Sequence, residues 1–261
     1  MDIATWNVNG VRARIDSVTA WLKDARPDVL LMQEIKVVCE NFPRAPFEEL
    51  GYNVETFGQK GFNGVAILSR RPLEDVGHGL PGMEDDPQAR YMEAAISCDS
   101  GAALRVASLY APNGNPVGAD KFDYKLRWLA AFEEHVREVL KLEEISLFAG
   151  DYNIIPGPED AEFPDKWRDD ALFSMPARQA WRRLLNLGMA DALRAWTAEP
   201  GLYTFWDYKG GAWQKNNGIR IDHALLTPQA ADRLNGARVD RRTRGWEKPS
   251  DHAPLVISLD V

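Results

Sequence analysis

The stretch DSVTAWLKDARPDVLLM, residues 16–32, predicts a helix followed directly by a buried strand. Its apolar residues between Val18 and Ala25 recur at the spacing of one helical face, and Pro27 ends the helical pattern. The apolar run 29–32 that follows has the length of a short strand, and another apolar run, 3–5, precedes the helix. The N-terminal region is therefore predicted to be strand, helix, strand.

Short strands dominate the rest of the chain, with turn-rich Gly, Pro and Asp segments between them. Helices are predicted at 121–142, where the apolar residues form one stripe, and near 177–187. The predicted strands are 52–57, 64–69, 92–97, 104–110, 219–226, 237–241 and 255–259. Their close succession indicates antiparallel neighbours, and most are apolar on one face only. An α/β (α+β) fold of two mainly antiparallel sheets packed face to face, with helices outside, therefore fits better than a single doubly wound sheet.

Length and composition bound the class of protein. The 261 residues are enough to bury a substantial core, and without a repeat or a long linker we expect one domain over residues 1–261. The net charge of −8 excludes a protein coated in positive charge, but it does not exclude a nucleic-acid enzyme with one basic face. Two cysteines are too few for a disulfide framework, and no secretory signal precedes the first strand, so we expect a cytoplasmic protein without a membrane partner.

Polar side chains stand at the points where several predicted strands begin or end. They are Asn7 after the run 3–5, Glu34 after 29–31, Asp151 and Asn153 after 147–149, and Asp251-His252 before the last strand. Because strand ends are rigid, they can present side chains from distant segments to one mouth. We therefore expect these groups to meet.

Four carboxylates, those of Glu34, Asp151, Asp222 and Asp251, would lie at this mouth. Two carboxylates about 4 Å apart repel each other by roughly 4 kcal/mol at an effective dielectric constant of about 20, and a divalent cation would offset that repulsion. An all-oxygen donor set suits Mg²⁺ or Mn²⁺ better than zinc, which prefers His and Cys. The predicted chemistry is metal-assisted hydrolysis of a phosphodiester.

The residues at the mouth can be given separate roles. The predicted metal ligands are Glu34, Asn7 and Asp251, and the predicted catalytic residues are Asp151, His252, Asp222, Tyr110 and Asn153. In this scheme Asp151 orients or deprotonates the attacking water, while His252, steadied by Asp222, donates hydrogen bonds to the phosphate. Asn7, Tyr110 and Asn153 complete the phosphate cradle.

Each of these residues taken alone has an ordinary structural explanation. An Asp or Asn at a strand end is commonly a turn former or a helix cap. An aromatic pair beside a strand, such as Phe205 and Trp206, usually packs in the core. The joint occurrence of the whole set favours the catalytic interpretation.

Seven short segments of the chain contain most of its candidate site residues. The segments are Trp6-Asn7-Val8-Asn9-Gly10, Gln33-Glu34-Ile35-Lys36, Tyr110-Ala111-Pro112-Asn113, Gly150-Asp151-Tyr152-Asn153, Thr204-Phe205-Trp206-Asp207-Tyr208, Arg220-Ile221-Asp222 and Ser250-Asp251-His252-Ala253-Pro254. They occur in the order seen in the exonuclease III family of the endonuclease/exonuclease/phosphatase superfamily, which the chain resembles from residue 1 to residue 261. A single segment would be a weak signal, but seven in order are specific.

The resemblance implies a four-layer αββα sandwich and a Mg²⁺-dependent DNA repair nuclease. Such an enzyme acts on duplex DNA at abasic sites and 3′ ends, as a 3′–5′ exonuclease, an abasic endonuclease and a 3′-phosphatase. The resemblance also implies that a wall of Phe205, Trp206 and Ile221 receives a base-free sugar. An apolar slot accepts a deoxyribose without its base but excludes an intact nucleotide, whose base is too large and would have its polar edges unpaired. The expected phosphate contacts around this pocket are Arg90, Asn113, Lys121, Lys125 and Arg220.

Two other functions stay open at this point. The first is a phosphodiesterase or phosphatase of the same fold with a non-DNA substrate, since the superfamily also contains sphingomyelinases and inositol phosphatases. The second is a noncatalytic scaffold, although an inert relative should have lost some of the ligands. A monomer is the simplest expectation for the assembly.

Overall fold

Twelve β-strands form two six-stranded sheets in the computed structural model, which describes residues 1–261. The strands are β1 Asp2–Asn7, β2 Val29–Gln33, β3 Asn53–Phe57, β4 Val65–Ser69, β5 Glu74–His78, β6 Tyr91–Ser97, β7 Ala103–Tyr110, β8 Ile145–Asp151, β9 Ala190–Asp191, β10 Asp222–Leu226, β11 Leu234–Val239 and β12 Leu255–Leu259. The α-helices are α1 Ile15–Ala25, α2 Ala45–Glu48, α3 Asp120–Leu140, α4 Met175–Asn186, α5 Ala192–Trp196 and α6 Pro228–Ala231. None of these helices has the length and apolarity needed to cross a membrane.

The two sheets share one plan. The strand order is β11-β12-β1-β2-β4-β3 in the first sheet and β5-β6-β7-β8-β10-β9 in the second. Each sheet contains one parallel pair, β1 with β2 and β7 with β8, and the other neighbours are antiparallel. Parallel neighbours need a long crossover connection, and α1 and α3 provide the two crossovers.

The inner faces of the two sheets pack against each other in one buried cluster. It joins residues such as Ile3, Leu31 and Ile67 of the first sheet with Val106 and Leu147 of the second. Successive side chains of a strand point to opposite faces of the sheet. The apolar residues that alternate with those of the inner cluster therefore lie on the outer face of each sheet.

Helices cover the outward face of each sheet. On the first sheet, Trp21 of α1 packs edge-on against Trp6 of β1, with ring centroids 5.6 Å apart. On the second sheet, Phe132 of α3 packs edge-on against Phe148 of β8 at 5.7 Å, within a cluster that also includes Trp181 of α4. The predicted four-layer αββα sandwich is therefore confirmed.

Differences from the predicted elements lie mainly at their ends. Helix α3 ends at Leu140 rather than at residue 142. Strand β10 begins at Asp222 rather than at residue 219, because Ile219 forms an isolated bridge with Phe205 instead of continuing the ladder. The edge strands β5 and β9 and the short helices α2, α5 and α6 are not predicted from the sequence. The residues of β5 are largely exposed and show no apolar alternation, and the other four elements are at most five residues long.

The pairing register places predicted site residues at one end of the sandwich. Asp151, the last residue of β8, lies opposite Tyr110 of β7 and opposite Asp222 of β10. Asn7 is the last residue of β1 and lies opposite Gln33, directly before Glu34. Both parallel pairs thus end where the site residues emerge.

Candidate active site

Asp151 lies in the middle of a buried polar cluster at the end of β8. Asp151 is only 2% exposed. Its Oδ2 accepts a hydrogen bond from Nδ2 of Asn7 at 3.0 Å, and its Oδ1 accepts one from the backbone N–H of Asn153 at 2.9 Å. Since both oxygens are held, the carboxylate has one defined orientation.

His252 and Asp222 form a hydrogen-bonded dyad beside Asp151. Nδ1 of His252 lies 2.8 Å from Oδ2 of Asp222, and both residues are buried. Thr204 Oγ1 accepts the backbone N–H of Asp222 at 3.0 Å, while Nε1 of Trp6 donates to the carbonyl of His252 at 3.1 Å. Because Nδ1 is engaged, Nε2 is the nitrogen that faces Asp151, whose Oδ2 lies 3.8 Å away. One potential metal-ligand atom from each of the three residues lies within 4.8 Å of the other two.

The charges of the cluster set the protonation of Asp151 and His252. Burial alone would lower the pKa of His252, but the carboxylates of Asp222 and Asp151 outweigh burial and raise that pKa. Burial also raises the pKa of Asp151; the His252 cation opposes this, and the carboxylates of Asp222 and Glu34 raise the pKa further. The arrangement therefore pairs a proton donor, the imidazolium, with a carboxylate that accepts a proton readily.

Glu34 lies at the first sheet's side of the same cluster. Its Oε1 accepts a hydrogen bond from Nδ2 of Asn7 at 2.9 Å, and its Oε2 is 2.7 Å from Nζ of Lys36. Burial would raise the pKa of Glu34, but the hydrogen bonds from Asn7 and Lys36 and the Lys36 charge lower it overall. Glu34 is therefore an anion at neutral pH.

Asp251 is connected to Glu34 through Asn9 and Lys36. Nδ2 of Asn9 donates to Oδ1 of Asp251 at 3.0 Å, and Oδ1 of Asn9 accepts a hydrogen bond from Nζ of Lys36. Lys36 in turn pairs with Glu34. A continuous series of hydrogen bonds and one ion pair thus holds the carboxylates of Glu34 and Asp251 in place.

The donor set fits a hard divalent cation. Glu34 and Asp251 offer carboxylate oxygens, which Mg²⁺ and Mn²⁺ prefer. Asn7 directs its Nδ2 toward the carboxylates, while its Oδ1 accepts the backbone N–H of Asn9 at 3.0 Å and keeps one lone pair for a cation. The neighbouring carboxylates already raise the pKa of Asp151, and a bound cation would relieve that repulsion. The buried group of possible ligands, Asp151, Asp222 and His252, includes neither cysteine of the chain, so no thiolate is available there for zinc.

Tyr110 borders the cluster from the end of β7. Burial, followed by the charges of Glu34 and Asp151, raises the pKa of its phenol, which therefore stays protonated and able to donate. The guanidinium of Arg90 lies over the Tyr110 ring, 4.8 Å from its centroid, and Nη1 of Arg90 donates to the Tyr110 carbonyl at 3.1 Å.

Three of the predicted DNA contacts share one cleft. Arg90, Asn113 and Lys121 line a cleft of about 330 Å³ together with Tyr124. Asn113 is exposed and also donates to Oδ1 of Asn153 at 3.2 Å. The cleft therefore adjoins the residues that hold Asp151.

Two other predicted phosphate contacts, Lys125 and Arg220, are wrong. Lys125 is 0% exposed, and its Nζ donates to three backbone carbonyl oxygens at 2.6, 3.1 and 3.3 Å. Arg220 is 1% exposed, and its guanidinium pairs with Asp160 and Asp191 at 2.7 Å each. Buried cations need such partners, and with them in place neither side chain reaches a phosphate.

The predicted sugar pocket requires one correction. Phe205 and Ile221 belong to one small apolar cluster, and the Phe205 ring lies 5.0 Å from the His252 ring. Trp206 is fully buried in a different cluster, and Ile221 is itself only 2% exposed, so Phe205 is the one residue of the predicted wall that is not buried. Adjacent residues of an extended segment point to opposite sides, so Phe205 and Trp206 cannot line one surface. Ile219 forms an isolated bridge with Phe205 and belongs to the same apolar cluster.

Comparison with known proteins assigns the chain to a family. A family model described as the Endonuclease/Exonuclease/phosphatase family matches residues 4–252. The chain belongs to this family.

Relatives within the Endonuclease/Exonuclease/phosphatase family narrow the assignment. The chain is 33% identical to exodeoxyribonuclease III of Haemophilus influenzae, over 98% of each chain. A structure of the 3′ phosphatase NExo from Neisseria bound to a product DNA hairpin is 40% identical with a TM-score of 0.94, and an AP endonuclease from Archaeoglobus fulgidus is 39% identical with a TM-score of 0.93. Both structural comparisons cover 100% of each chain. The predicted membership of the exonuclease III family, and with it the prediction of an enzyme, is confirmed.

Several supporting residues of this Endonuclease/Exonuclease/phosphatase family member receive no role from the sequence. Asn9, Lys36 and Thr204 lie inside the seven matching segments, but Asn and Thr are common in turns and Lys is common on surfaces. Their contacts become visible only when the two sheets are brought together. Position inside a matching segment was the one signal that pointed to them.

Proposed function

We propose that this protein is a divalent-metal-dependent DNA repair nuclease that hydrolyses phosphodiester bonds at abasic sites and 3′ ends of duplex DNA. The observation that carries the proposal is the buried cluster in which Asp151 faces the His252–Asp222 dyad beside Glu34 and Asn7. Similarity to an exodeoxyribonuclease III, to a DNA-bound 3′ phosphatase and to an AP endonuclease favours DNA over lipid or inositol substrates. The full set of ligands argues against a noncatalytic scaffold.

Asp151 orients the attacking water and accepts its proton. Its carboxylate is held by Asn7 and by the backbone of Asn153, so the water that it binds has one direction of attack. The raised pKa of Asp151 brings its basicity closer to that needed at neutral pH.

His252 stabilises the negative charge that develops on the phosphate. Asp222 binds Nδ1, so the proton on Nε2 is directed toward the Asp151 side of the cluster and is available to a non-bridging phosphate oxygen. The buried Asp222 carboxylate keeps the imidazole positively charged through the reaction. The protonated phenol of Tyr110 supplies a further hydrogen bond to the same phosphate.

Asn153 acts mainly by positioning its neighbours. Its backbone N–H holds Asp151, its Nδ2 donates to the carbonyl of Ala111 at 2.9 Å, and its Oδ1 accepts from Asn113 at 3.2 Å. We therefore assign Asn153 to the geometry of the cradle.

Glu34, Asn7 and Asp251 are the residues that would hold the metal ion, Mg²⁺ or Mn²⁺. When bound, the ion supplies Lewis-acid stabilisation of negative charge on the phosphate and on the leaving oxygen. Lys36 keeps Glu34 ionised for this purpose, and Asn9 orients Asp251.

Two surfaces beside the cluster account for the proposed substrate. Arg90, Asn113 and Lys121 line a cleft suited to the phosphate backbone of DNA. Phe205, backed by the buried Ile221, presents a partly exposed apolar ring beside His252 that suits a deoxyribose without its base. The single domain, the monomeric state and the cytoplasmic location stay predictions.

A comparison of substrates tests the proposal. The protein is incubated with Mg²⁺ and, separately, with a duplex containing one abasic-site analogue, a duplex with a 3′-phosphate, an undamaged recessed duplex and an inositol phosphate. We expect hydrolysis of the DNA substrates, loss of hydrolysis with a chelator, and recovery with added Mg²⁺ or Mn²⁺. Turnover of the inositol phosphate alone would overturn the DNA assignment, and chelator-resistant cleavage would overturn the metal.

A further inference from the structure

A second pocket, lined by aromatic rings and a buried arginine, lies next to the active site. It has a volume of about 350 Å³, and its walls include Tyr208, Trp213, Arg244, Trp246 and Pro249. None of these residues belongs to the catalytic cluster or to the apolar wall of the sugar pocket. The pocket is therefore a separate feature that the proposed mechanism does not use.

Tyr208 connects this pocket with the active site. Its hydroxyl donates to the carbonyl of Pro249 at 2.8 Å, two residues before Asp251. The same hydroxyl lies 3.4 Å from Nδ2 of Asn9, the amide that donates to Asp251 at 3.0 Å. One side chain, Asn9, thus lies between the Tyr208 hydroxyl and Asp251, so the pocket borders the active site.

Three arginines border the pocket, while its lining includes one carboxylate, that of the exposed Asp207. Arg244 is 4% exposed, donates to the carbonyl of Trp206 at 3.0 Å, and has a buried Nε without a hydrogen-bond partner. Arg14, which donates to the Tyr208 hydroxyl at 3.0 Å, and Arg241, whose guanidinium lies 5.4 Å from the Trp213 ring centroid, also have an unpartnered Nε. None of these three arginines forms an ion pair, although the chain carries a net charge of −8. Such a site attracts an anion and repels a metal cation.

Aromatic rings form part of the pocket wall beside Arg244. The Arg244 guanidinium lies 5.4 Å from the ring centroid of Tyr208 and 5.7 Å from that of Trp213. Tyr208 is 51% exposed, and Trp213 is partly exposed, so both rings are accessible. Accessible tryptophan and tyrosine faces beside arginine are the groups on which nucleobases stack.

We propose that this pocket binds an unpaired nucleotide of the substrate strand, next to the phosphodiester that is cleaved. The base stacks on Trp213 and Tyr208, and Arg244 contacts the base or its phosphate. This inference rests on the proposed DNA substrate and deepens it, because it assigns a site for a single-stranded nucleotide in addition to the proposed duplex-binding cleft.

A fluorescent base tests the pocket directly. In an Asp151→Asn background, which leaves the DNA intact, 2-aminopurine is placed unpaired on the 3′ side of the cleavage site in one duplex and on the 5′ side in another. We expect its fluorescence to be quenched on binding at one of these positions, since it stacks on tryptophan. Trp213→Leu and Arg244→Gln are each expected to remove the quenching and to weaken binding of the unpaired DNA about tenfold relative to fully paired DNA.

The controls separate this proposal from the proposed function. Trp196→Leu removes a tryptophan that is 51% exposed on α5, away from the pocket, and is expected to change neither signal. Quenching that persists in both pocket variants, or DNA that binds by anisotropy without quenching at either position, overturns the pocket. DNA that fails to bind at all would contradict the proposed nuclease function as well. Arg244→Gln keeps the test decisive if Trp213→Leu fails to fold.

Discussion

At the residue scale, Lys121 and Lys125 lie four positions apart on α3 and have opposite environments. Lys121 is exposed and lines the cleft with Arg90, whereas Lys125 is fully buried and donates to three backbone carbonyls. The three donors of an ammonium group match these three acceptors. The side-chain type suggests a phosphate contact in both cases, but only the exposed lysine has its charge free for DNA.

Replacing each lysine by methionine should separate the two roles. Lys125→Met is expected to lower the free energy of unfolding by about 2–4 kcal/mol, because buried carbonyls lose their donor. Lys121→Met is expected to leave the free energy of unfolding nearly unchanged and to reduce the slope of log affinity against log salt by about 1. Urea unfolding and DNA binding at several salt concentrations measure the two effects. Weaker DNA binding by a fully stable Lys125→Met would restore Lys125 as a contact.

His223 is a buried neutral histidine within the Arg220 network. Arg220 donates to Nδ1 of His223 at 3.0 Å, so Nε2 carries the proton and donates to the carbonyl of Ile154 at 2.9 Å. Burial, followed by the charge of Arg220, lowers the pKa of His223 to about 4; Asp191 and Asp160 oppose this. The unfolded chain, with an ordinary histidine pKa, therefore binds a proton before the folded protein does.

A loss of stability in mild acid follows from the lowered pKa of His223. The contribution of His223 is fully present above about pH 6.5 and is lost by at most about 1.4 kcal/mol per pH unit as the pH falls toward 4. Urea unfolding at pH 5 and pH 7 should show a smaller pH difference in His223→Gln than in the unmodified protein. His78→Gln, at an exposed histidine, is the matched control. Equal pH differences in all three proteins would show that His223 does not titrate in this way.

At the element scale, Gly150 permits the close contact between β7 and β8 from which Asp151 emerges. A Cβ at this position would lie 1.8 Å from the carbonyl oxygen of Leu109. The Gly-Asp-x-Asn segment therefore has a backbone requirement at its glycine and a chemical requirement at Asp151. Gly236 in β11 is different, since a Cβ there would meet Ser258 at an ordinary 3.5 Å.

Gly150→Ala is expected to displace the end of β8. The clash is with backbone, so relief requires a strand shift that costs about 1–3 kcal/mol of unfolding free energy. A shift of about 1 Å at Asp151 is expected to lower the rate of DNA cleavage about 100-fold. Gly236→Ala should retain both stability and cleavage in the same assays. Full activity in Gly150→Ala would mean that the site tolerates movement of β8.

At the scale of the whole molecule, the sequence predicts elements with strong periodicity and misses contacts between distant segments. The stripe of α3 and the final strand were predicted almost to their ends, because each buries one apolar face. The burial of Arg220 was not predicted, because its partners Asp160 and Asp191 lie 60 and 29 residues away. Phe205 points toward His252 and Trp206 points away from it. This difference depends on the local backbone direction, which the sequence alone did not predict.

The meeting of Asn7, Glu34, Asp151 and His252 in one cluster was predicted because these residues share a topological position. Strand ends of both sheets meet at one edge of the sandwich, so polar residues after apolar runs become neighbours there. The residues that support them, such as Asn9 and Thr204, act through single hydrogen bonds across the sheets. No periodic pattern marks such contacts, so they follow only from the tertiary structure.

The most direct test of the account compares Asp151→Asn with Asp165→Asn in single-turnover cleavage of DNA with Mg²⁺. Asp165 is exposed and pairs only with Arg168, so its variant controls for loss of an acidic charge. Asp151→Asn should cleave DNA about 10²- to 10⁴-fold more slowly, because the group that accepts the proton of water is gone, while folding and DNA binding persist. Cleavage by Asp151→Asn at the rate of Asp165→Asn would contradict the assignment of this cluster as the catalytic site.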